Sequence, residues 1–317
     1  VIATAPGKLI LTGEYAVLDG APALVIAVNR RARAHRHAKP PTGSSPFLVA
    51  VAEELAARFG DDHAAARAAL EISVDSSAFY DGMTKLGLGS SAAVTVAATA
   101  CSLAETGEAL DKAAVLAIAL AAHARAQAPR GSRGSGADVA AAVHGGLIVF
   151  TSGRVEPKEW PRSVTLLPFF TGHSADTLHL VSRVAAARSA SPIEVDAALA
   201  AIADASRAAH LALAAPLDLA ARALIAALSL AGHATDRLAI ATGLDLVPEC
   251  VSAARSAMAR LGGTAKTTGA GGGDVAIAAI PTTADAIEAT RSLIEVGCKP
   301  LDISLDETGV DTRPGAQ

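Results

Sequence analysis

The chain reads as an α+β protein built in two domains, and three observations predict it. Strand and helix patterns mix along the sequence without the regular alternation of a doubly wound sheet. The first 40 residues are rich in β-branched runs and turns, whereas much of the second half is long alanine-rich helix. Finally, 317 residues exceed the usual size of one domain, so two hydrophobic cores are the better expectation. The composition turns polar and proline-bearing around 153–161, which gives domains of 1–157 and 158–317.

Each element follows from local pattern. "KLILTGEYAVLDGAPALVIAVN" sets β-branched runs between Gly13, Asp19-Gly20 and Pro22, as in a meander. In "RRARAHRHAK", Arg31, Arg33, His35 and His37 recur with period two, while Ala32, Ala34 and Ala38 hold the other parity. That is a strand with one solvated face rather than a nucleic-acid patch. "PTGSSP" (41–46) is a loop, "FLVAVAEELAARF" has helical apolar spacing and stops at Gly60, and "ALEISVDSS" is a strand. Helices are predicted after "GLGSS", over 109–125, and after "GSG"; the strand "LIVF" follows. The second half opens on the strand "VTLLPFF". It continues with helices at 177–186, 192–214, 217–230 and 247–261, and a strand-loop-strand in "TAKTTGAGGGDVAIAAI". A helix at 284–296 and a strand near 301–305 close it. No repeat of fixed period is present.

Composition narrows the function classes. Hydrophobic residues make up 51%, but alanine supplies much of this, and charges or turn residues are expected to interrupt each run before the roughly 20 residues of a membrane span. A net charge of -4 gives no global attraction to nucleic acid. No charged stretch followed by an apolar run opens the chain at Val1, so secretion finds no support there. Cys101, Cys250 and Cys298 are odd in number and too far apart for metal or redox pairs, which suits a reduced, cytoplasmic protein. The nine histidines lack the spacing of a zinc site.

The chemistry concentrates in glycine-rich loops. A helix N-terminus carries unpaired N–H groups and partial positive charge, so a Gly/Ser loop that lets an anion approach it is a phosphate cradle. "GLGSSAA" meets that description: Gly87 and Gly89 permit close approach, Ser90 and Ser91 supply hydroxyls, and Ala92 continues as helix. A plain glycine turn with a serine cap accounts for only one Gly and one Ser. A dinucleotide fingerprint is formally matched as G-x-G-x-x-A, with Glu105 or Glu108 near the acidic position. Its context fails, because "SSAFYDGMTKL" is no buried parallel strand. The Walker pattern occurs nowhere. A second glycine-serine loop, "GSGADVAAAVHGG", enters a short helix with Asp138 in its first turn.

Three separated segments resemble one superfamily, the GHMP small-molecule kinases, which include galactokinase, homoserine kinase, mevalonate kinase and phosphomevalonate kinase. "PGKLILTGEYAVL" (6–18) is similar to the first family motif, "GLGSSAA" to the second and "KTTGAGGGD" (266–274) to the third. The resemblance implies an N-terminal domain of the ribosomal-protein-S5 type that binds ATP, and a ferredoxin-like C-terminal domain. Within the superfamily, "KLGLGSS", "AHARAQ", "WPRSVTLLPFFTGHSADT" and "CKPLDISLDETGV" resemble the phosphomevalonate kinase family. Gln127 stands where mevalonate kinases more typically carry a metal-binding glutamate. "APRGSR" (128–133) is longer than the family's usual connection, which leaves Gln127, Arg130 and Arg133 unplaced.

The roles the resemblance implies are these. Lys8 and Asp138 are the catalytic pair. Gly87, Leu88, Gly89, Ser90, Ser91 and Ala92 hold ATP, with Ser91 on Mg²⁺. Lys8, Tyr15, Lys85, Ser135, Gly136, Asp138 and Gly269 bind the acceptor, and Gly271 to Gly273 shape the cleft. Lys85 is the first choice for the acceptor phosphate, ahead of Arg130, Arg133 and His173. The implied activity is ATP-dependent phosphorylation of (R)-5-phosphomevalonate to (R)-5-diphosphomevalonate in isoprenoid synthesis. Its alternatives are a mevalonate kinase acting on an alcohol, or a ligand sensor without turnover, against which the joint presence of Lys8, Ser91 and Asp138 argues. The implied partners are small molecules and not nucleic acid or membrane, with a homodimer left open.

Overall fold

In the computed structural model, which describes residues 1–37, 45–107, 109–131 and 134–315, the molecule is organised around two antiparallel sheets. Strands β1 (Ile2–Thr12) and β2 (Ala23–Arg36) form a long antiparallel pair. Ala32 and Ala34 are buried and Arg33 and His35 exposed, as the alternation in the basic run requires. Ala38, Lys39, the loop 41–44, Glu108 and Arg133 lie outside the described residues.

Helix α1 (Pro46–Phe59) begins at Ser45, whose hydroxyl accepts from the Phe47 N–H, and ends at Gly60. A short helix α2 (Ala64–Ala69) and strand β3 (Ile72–Asp75) follow. The exposed hairpin β4 (Tyr80–Asp81) and β5 (Thr84–Lys85) then leads into α3 (Ser90–Ala104). Helices α4 (Lys112–Gln127) and α5 (Ala137–His144) and the hairpin β6 (Leu147–Thr151) and β7 (Arg154–Lys158) complete this half. Ala92, Ala93, Ala97, Ala98 and Ala100 of α3 are buried, and the helix packs on β1, β2 and α5, where small side chains let a helix lie close to a sheet.

The second half comprises β8 (Val164–Phe170), α6 (Thr177–Ala190), α7 (Pro192–Ala212), α8 (Leu217–Thr242) and α9 (Glu249–Ala259). It continues with β9 (Thr264–Thr267), β10 (Val275–Pro281), α10 (Ala286–Glu295), β11 (Lys299–Pro300) and β12 (Asp311–Arg313). The first sheet runs β12-β1-β2-β6-β7, with β3 also on β2; the second runs β11-β8-β10-β9.

Four features depart from the sequence reading. The polar stretch expected at the boundary is itself mostly strand β7, so a division after residue 157 cuts that strand one residue from its end. Pro157 is accommodated because β7 pairs only with β6, at the sheet edge. Helix α8 runs 12 residues beyond the predicted end at 230, through Gly232. A Cβ at Gly232 would lie 3.2 Å from the Lys266 Cβ, so this glycine admits β9 to the helix surface instead of ending the helix. The stretch Leu219–Thr242 is also long and apolar enough, by length and composition alone, to cross a membrane, although Arg222, Asp236 and Arg237 interrupt it as expected, so interruption does not keep every run below a spanning length. Half of its most apolar window is buried inside the fold, where α8 packs on α7 and β9. Finally, residues 301–304 form no strand; Leu305 makes an isolated bridge to Val28, and the chain returns through β12 to β1.

Candidate active site

The phosphate loop is built by two glycines in the left-handed region, Gly87 (φ 73°) and Gly89 (φ 75°), the second capping α3. Close approach adds to this, severely at Gly87 and tightly at Gly89. A Cβ at Gly87 would stand 2.2 Å from Asp274 Oδ2, and one at Gly89 would stand 3.0 Å from the Lys8 Cε. The Leu88 carbonyl accepts from the Lys8 N–H at 2.8 Å, which fastens the loop to β1. Of the predicted nucleotide residues, Ser90 and Ser91 are half-buried on a cavity wall, while the Leu88 and Ala92 side chains point into the core.

Two adjoining cavities meet at Lys8, Gly87, Gln127, Asp138 and Asp274. The outer one is lined by the phosphate loop, with Gly89, Ser90, Ser91 and Lys85 on its walls. Glu14, Tyr15, Ser135 and Gly269 line the inner one. Lys8, Asp138, Tyr15, Ser135 and Gly269 thus come together, and exposed Lys85 lies on the outer side only. Gly136 lines neither cavity: it caps α5 with φ 85°, and a Cβ there would meet Leu120 Cδ2 at 2.6 Å, so its part is packing. His173 also lines neither; its Nε2 is 3.1 Å from the Gly272 carbonyl oxygen. Arg130 closes a short 3-10 turn, Ala128–Arg130.

The electrostatics centre on Lys8. Burial lowers its pKa, opposed by the carboxylates of Asp138, Asp274 and Glu14. Asp138 sits in the first turn of α5, where the helix dipole favours negative charge. Burial raises the pKa of Asp274, countered by the Ala175 N–H it accepts and by the charges of Lys8, Lys85 and His173. Glu14 and Lys266 form a fully buried ion pair, at 1% and 0% exposed. Burial pushes the Glu14 carboxyl up, with Lys266 pulling it down. Tyr15 donates from its hydroxyl to the Ala270 carbonyl at 2.6 Å and holds φ at 59°, a strained value for an aromatic residue.

Several residues here were missed by sequence reasoning. Asp274 was read only as the end of a motif, although it is a non-glycine residue at φ 59° between both cavities. His123 places its Nε2 3.2 Å from Ser91 Oγ and 3.1 Å from the Gln127 amide nitrogen, with its ring stacked on Phe47. The spacing of His123 and Gln127, four residues apart on one helix face, was the available signal.

The outer cavity offers the hard oxygen donors a divalent cation would need. Ser91, Gln127, Asp138 and Asp274 all line it. Among the described residues no three His, Cys, Asp or Glu side chains cluster as metal ligands. Mg²⁺ tolerates this, because it keeps several waters and binds few protein oxygens beside substrate phosphates.

Residues 46–146 match the family of the GHMP kinases N terminal domain. The phosphomevalonate kinase of Streptomyces sp. (strain CL190) is 30% identical, over 93% of this chain and 92% of that protein. The mevalonate kinase of Archaeoglobus fulgidus is 33% identical, over 62% of this chain and 67% of its own length. Among solved structures, Streptococcus pneumoniae phosphomevalonate kinase in complex with phosphomevalonate and AMPPNP superposes with a TM-score of 0.77 at 20% identity, covering 96% of this chain and 99% of that one. The Lin0012 protein from Listeria innocua gives 0.82 at 21% identity, with 99% and 100% covered. At these identities the two structures speak to the fold alone.

Proposed function

The chain belongs to the GHMP kinases, and from that premise we propose that it transfers the γ-phosphoryl group of ATP to (R)-5-phosphomevalonate, giving ADP and (R)-5-diphosphomevalonate. The observation that carries this reading is the pair of cavities joined at Lys8 and Asp138. One has the phosphate loop on its wall and suits a nucleotide; the other is enclosed by Tyr15, Ser135 and Gly269 and suits a small acceptor. Support for a phosphorylated acceptor comes from the 30% identical phosphomevalonate kinase, which aligns along nearly the whole chain. Gln127, in place of a glutamate, points the same way.

Phosphoryl transfer passes through a loose transition state, so the protein's task is positioning and charge neutralisation. Mg²⁺ held by Ser91 with Asp274 would neutralise the ATP phosphates. The N-terminus of α3 directs its free N–H groups at the phosphates. Lys8 neutralises charge on the moving group, and Asp138 orients Lys8 and the acceptor. A phosphate acceptor is already largely ionised at neutral pH, so Asp138 serves alignment more than proton removal.

The mevalonate kinase relatives favour a second reading, transfer to the alcohol of mevalonate. A coupled ADP-release assay across mevalonate, 5-phosphomevalonate, homoserine and galactose separates the two. ADP release is expected with 5-phosphomevalonate and much more slowly with mevalonate; preference for mevalonate would reverse the assignment. In the same assay Asp138→Asn is expected to lower kcat by about 10²-fold or more while ATP affinity holds. Unchanged kcat would remove Asp138 from the mechanism.

A further inference from the structure

His123 has no part in the transfer described above, yet it stands against the serine that would hold the cation. Its ring lies on α4, is only 2% exposed, and is stacked on Phe47 with centroids 5.3 Å apart, so packing fixes its orientation. Its Nε2 is 3.2 Å from Ser91 Oγ, in the first turn of α3, and 3.1 Å from the Gln127 amide nitrogen. Nδ1 stands farther from the same amide, at 3.4 Å. An amide nitrogen can only donate. The Gln127 amide oxygen lies on the Gly134 side, 3.1 Å from where a Cβ there would stand, which leaves the nitrogen toward His123. Nε2 is therefore an acceptor, the ring hydrogen sits on Nδ1, and Ser91 donates its hydroxyl hydrogen to the imidazole.

We infer that His123 is a positioning residue for the cation: it takes the Ser91 hydroxyl hydrogen and so turns the oxygen lone pairs into the outer cavity. The inference rests on the placement of ATP and Mg²⁺ at Ser91 proposed above. A hydroxyl oxygen binds a divalent cation through a lone pair, so its hydrogen has to point elsewhere. Without an acceptor the hydroxyl turns among its rotamers and donates to the phosphate oxygens themselves. The backbone of Ser91 is held from the other side, where Thr95 Oγ1 donates to its carbonyl at 2.8 Å. Gln127 is uncharged and directs its nitrogen at His123, so it anchors the imidazole rather than the cation.

The test measures Kd for the non-hydrolysable AMPPNP by calorimetry, with Mg²⁺ and with EDTA, so that no turnover enters the readout. His123→Phe keeps a ring against Phe47 and removes the acceptor. It is expected to weaken Kd with Mg²⁺ by about 10-fold or more, the scale for a partner that aims a metal ligand, and to leave Kd in EDTA unchanged. His123→Gln, whose amide oxygen can stand in for Nε2, should restore most of the loss. In a Ser91→Ala background, which has no hydroxyl to aim, His123→Phe should cost nothing further. Should His123→Phe fail to fold, His123→Met fills the site without a strong acceptor and carries the same comparison. Equal weakening with and without Mg²⁺ would make His123 a packing residue and overturn the inference, as would an unchanged Kd with Mg²⁺ beside a weakened Ser91→Ala. An unchanged Ser91→Ala overturns instead the cation placement on which the inference rests.

Discussion

Lys85 is the residue whose position most changes what an experiment should look for. Its carbonyl oxygen accepts from Ser174 Oγ at 2.8 Å, while its side chain is exposed on the wall of the outer cavity. An ammonium there meets a phosphate as a point charge on either side of the junction. If it serves the acceptor, Lys85→Met should raise KM for 5-phosphomevalonate by about 1.5–3 kcal/mol equivalent, the scale of a charge-assisted contact, with little change for ATP. Separate KM titrations decide, and a rise confined to ATP would assign Lys85 to the nucleotide. Side-chain identity made Lys8, Ser91 and Asp138 legible as candidates, since each stands inside a short motif. Glu14 and Asp274 stood in the same motifs and were passed over. Their importance comes from a buried pairing 252 residues apart and from a strained φ, neither of which a local pattern contains.

Helix α5 meets the start of α4 and the returning C-terminal tail at His144. Lys112 donates to the Thr308 carbonyl at 2.8 Å and approaches the His144 carbonyl at 3.4 Å. Burial, reinforced by the Lys112 charge, lowers the His144 pKa, and its Nε2 is buried without a partner. The fold therefore holds the neutral imidazole. The unfolded chain takes up a proton below its ordinary value of about 6.5, so this contribution is whole above that pH and is lost as pH falls toward the depressed folded value. His144→Gln should flatten the melting temperature between about pH 7 and 5, and an acid slope equal to wild type would exclude His144. Elements with a local cause were legible in sequence, as α1 was between Ser45 and Gly60. Those decided by distant partners were not. Helix α8 continues through Gly232 because β9 lies against it, and β12 exists because the edge of β1 is free to receive it.

The two halves of the molecule are tied by contacts that surround the cleft. Thr12 Oγ1 lies 2.9 Å from Ser206 Oγ, which donates to the Pro22 carbonyl at 2.6 Å. Tyr15 reaches the Ala270 carbonyl. Lys266 and Glu14 add a buried ion pair between the β9 and β1 sides. Such a pair contributes little net stability compared with well-packed apolar residues, because both ions are stripped of water, yet removing one partner leaves an uncompensated buried charge. Lys266→Met is therefore expected to destabilise the protein by about 3–5 kcal/mol, whereas Glu14→Leu added to it should recover most of that loss. Denaturant midpoints of the wild-type, single and double variants measure the coupling. A double variant as unstable as the single one would mean that lost packing rather than stranded charge sets the cost, and that the ion pair is not what holds the two sides of the cleft in register.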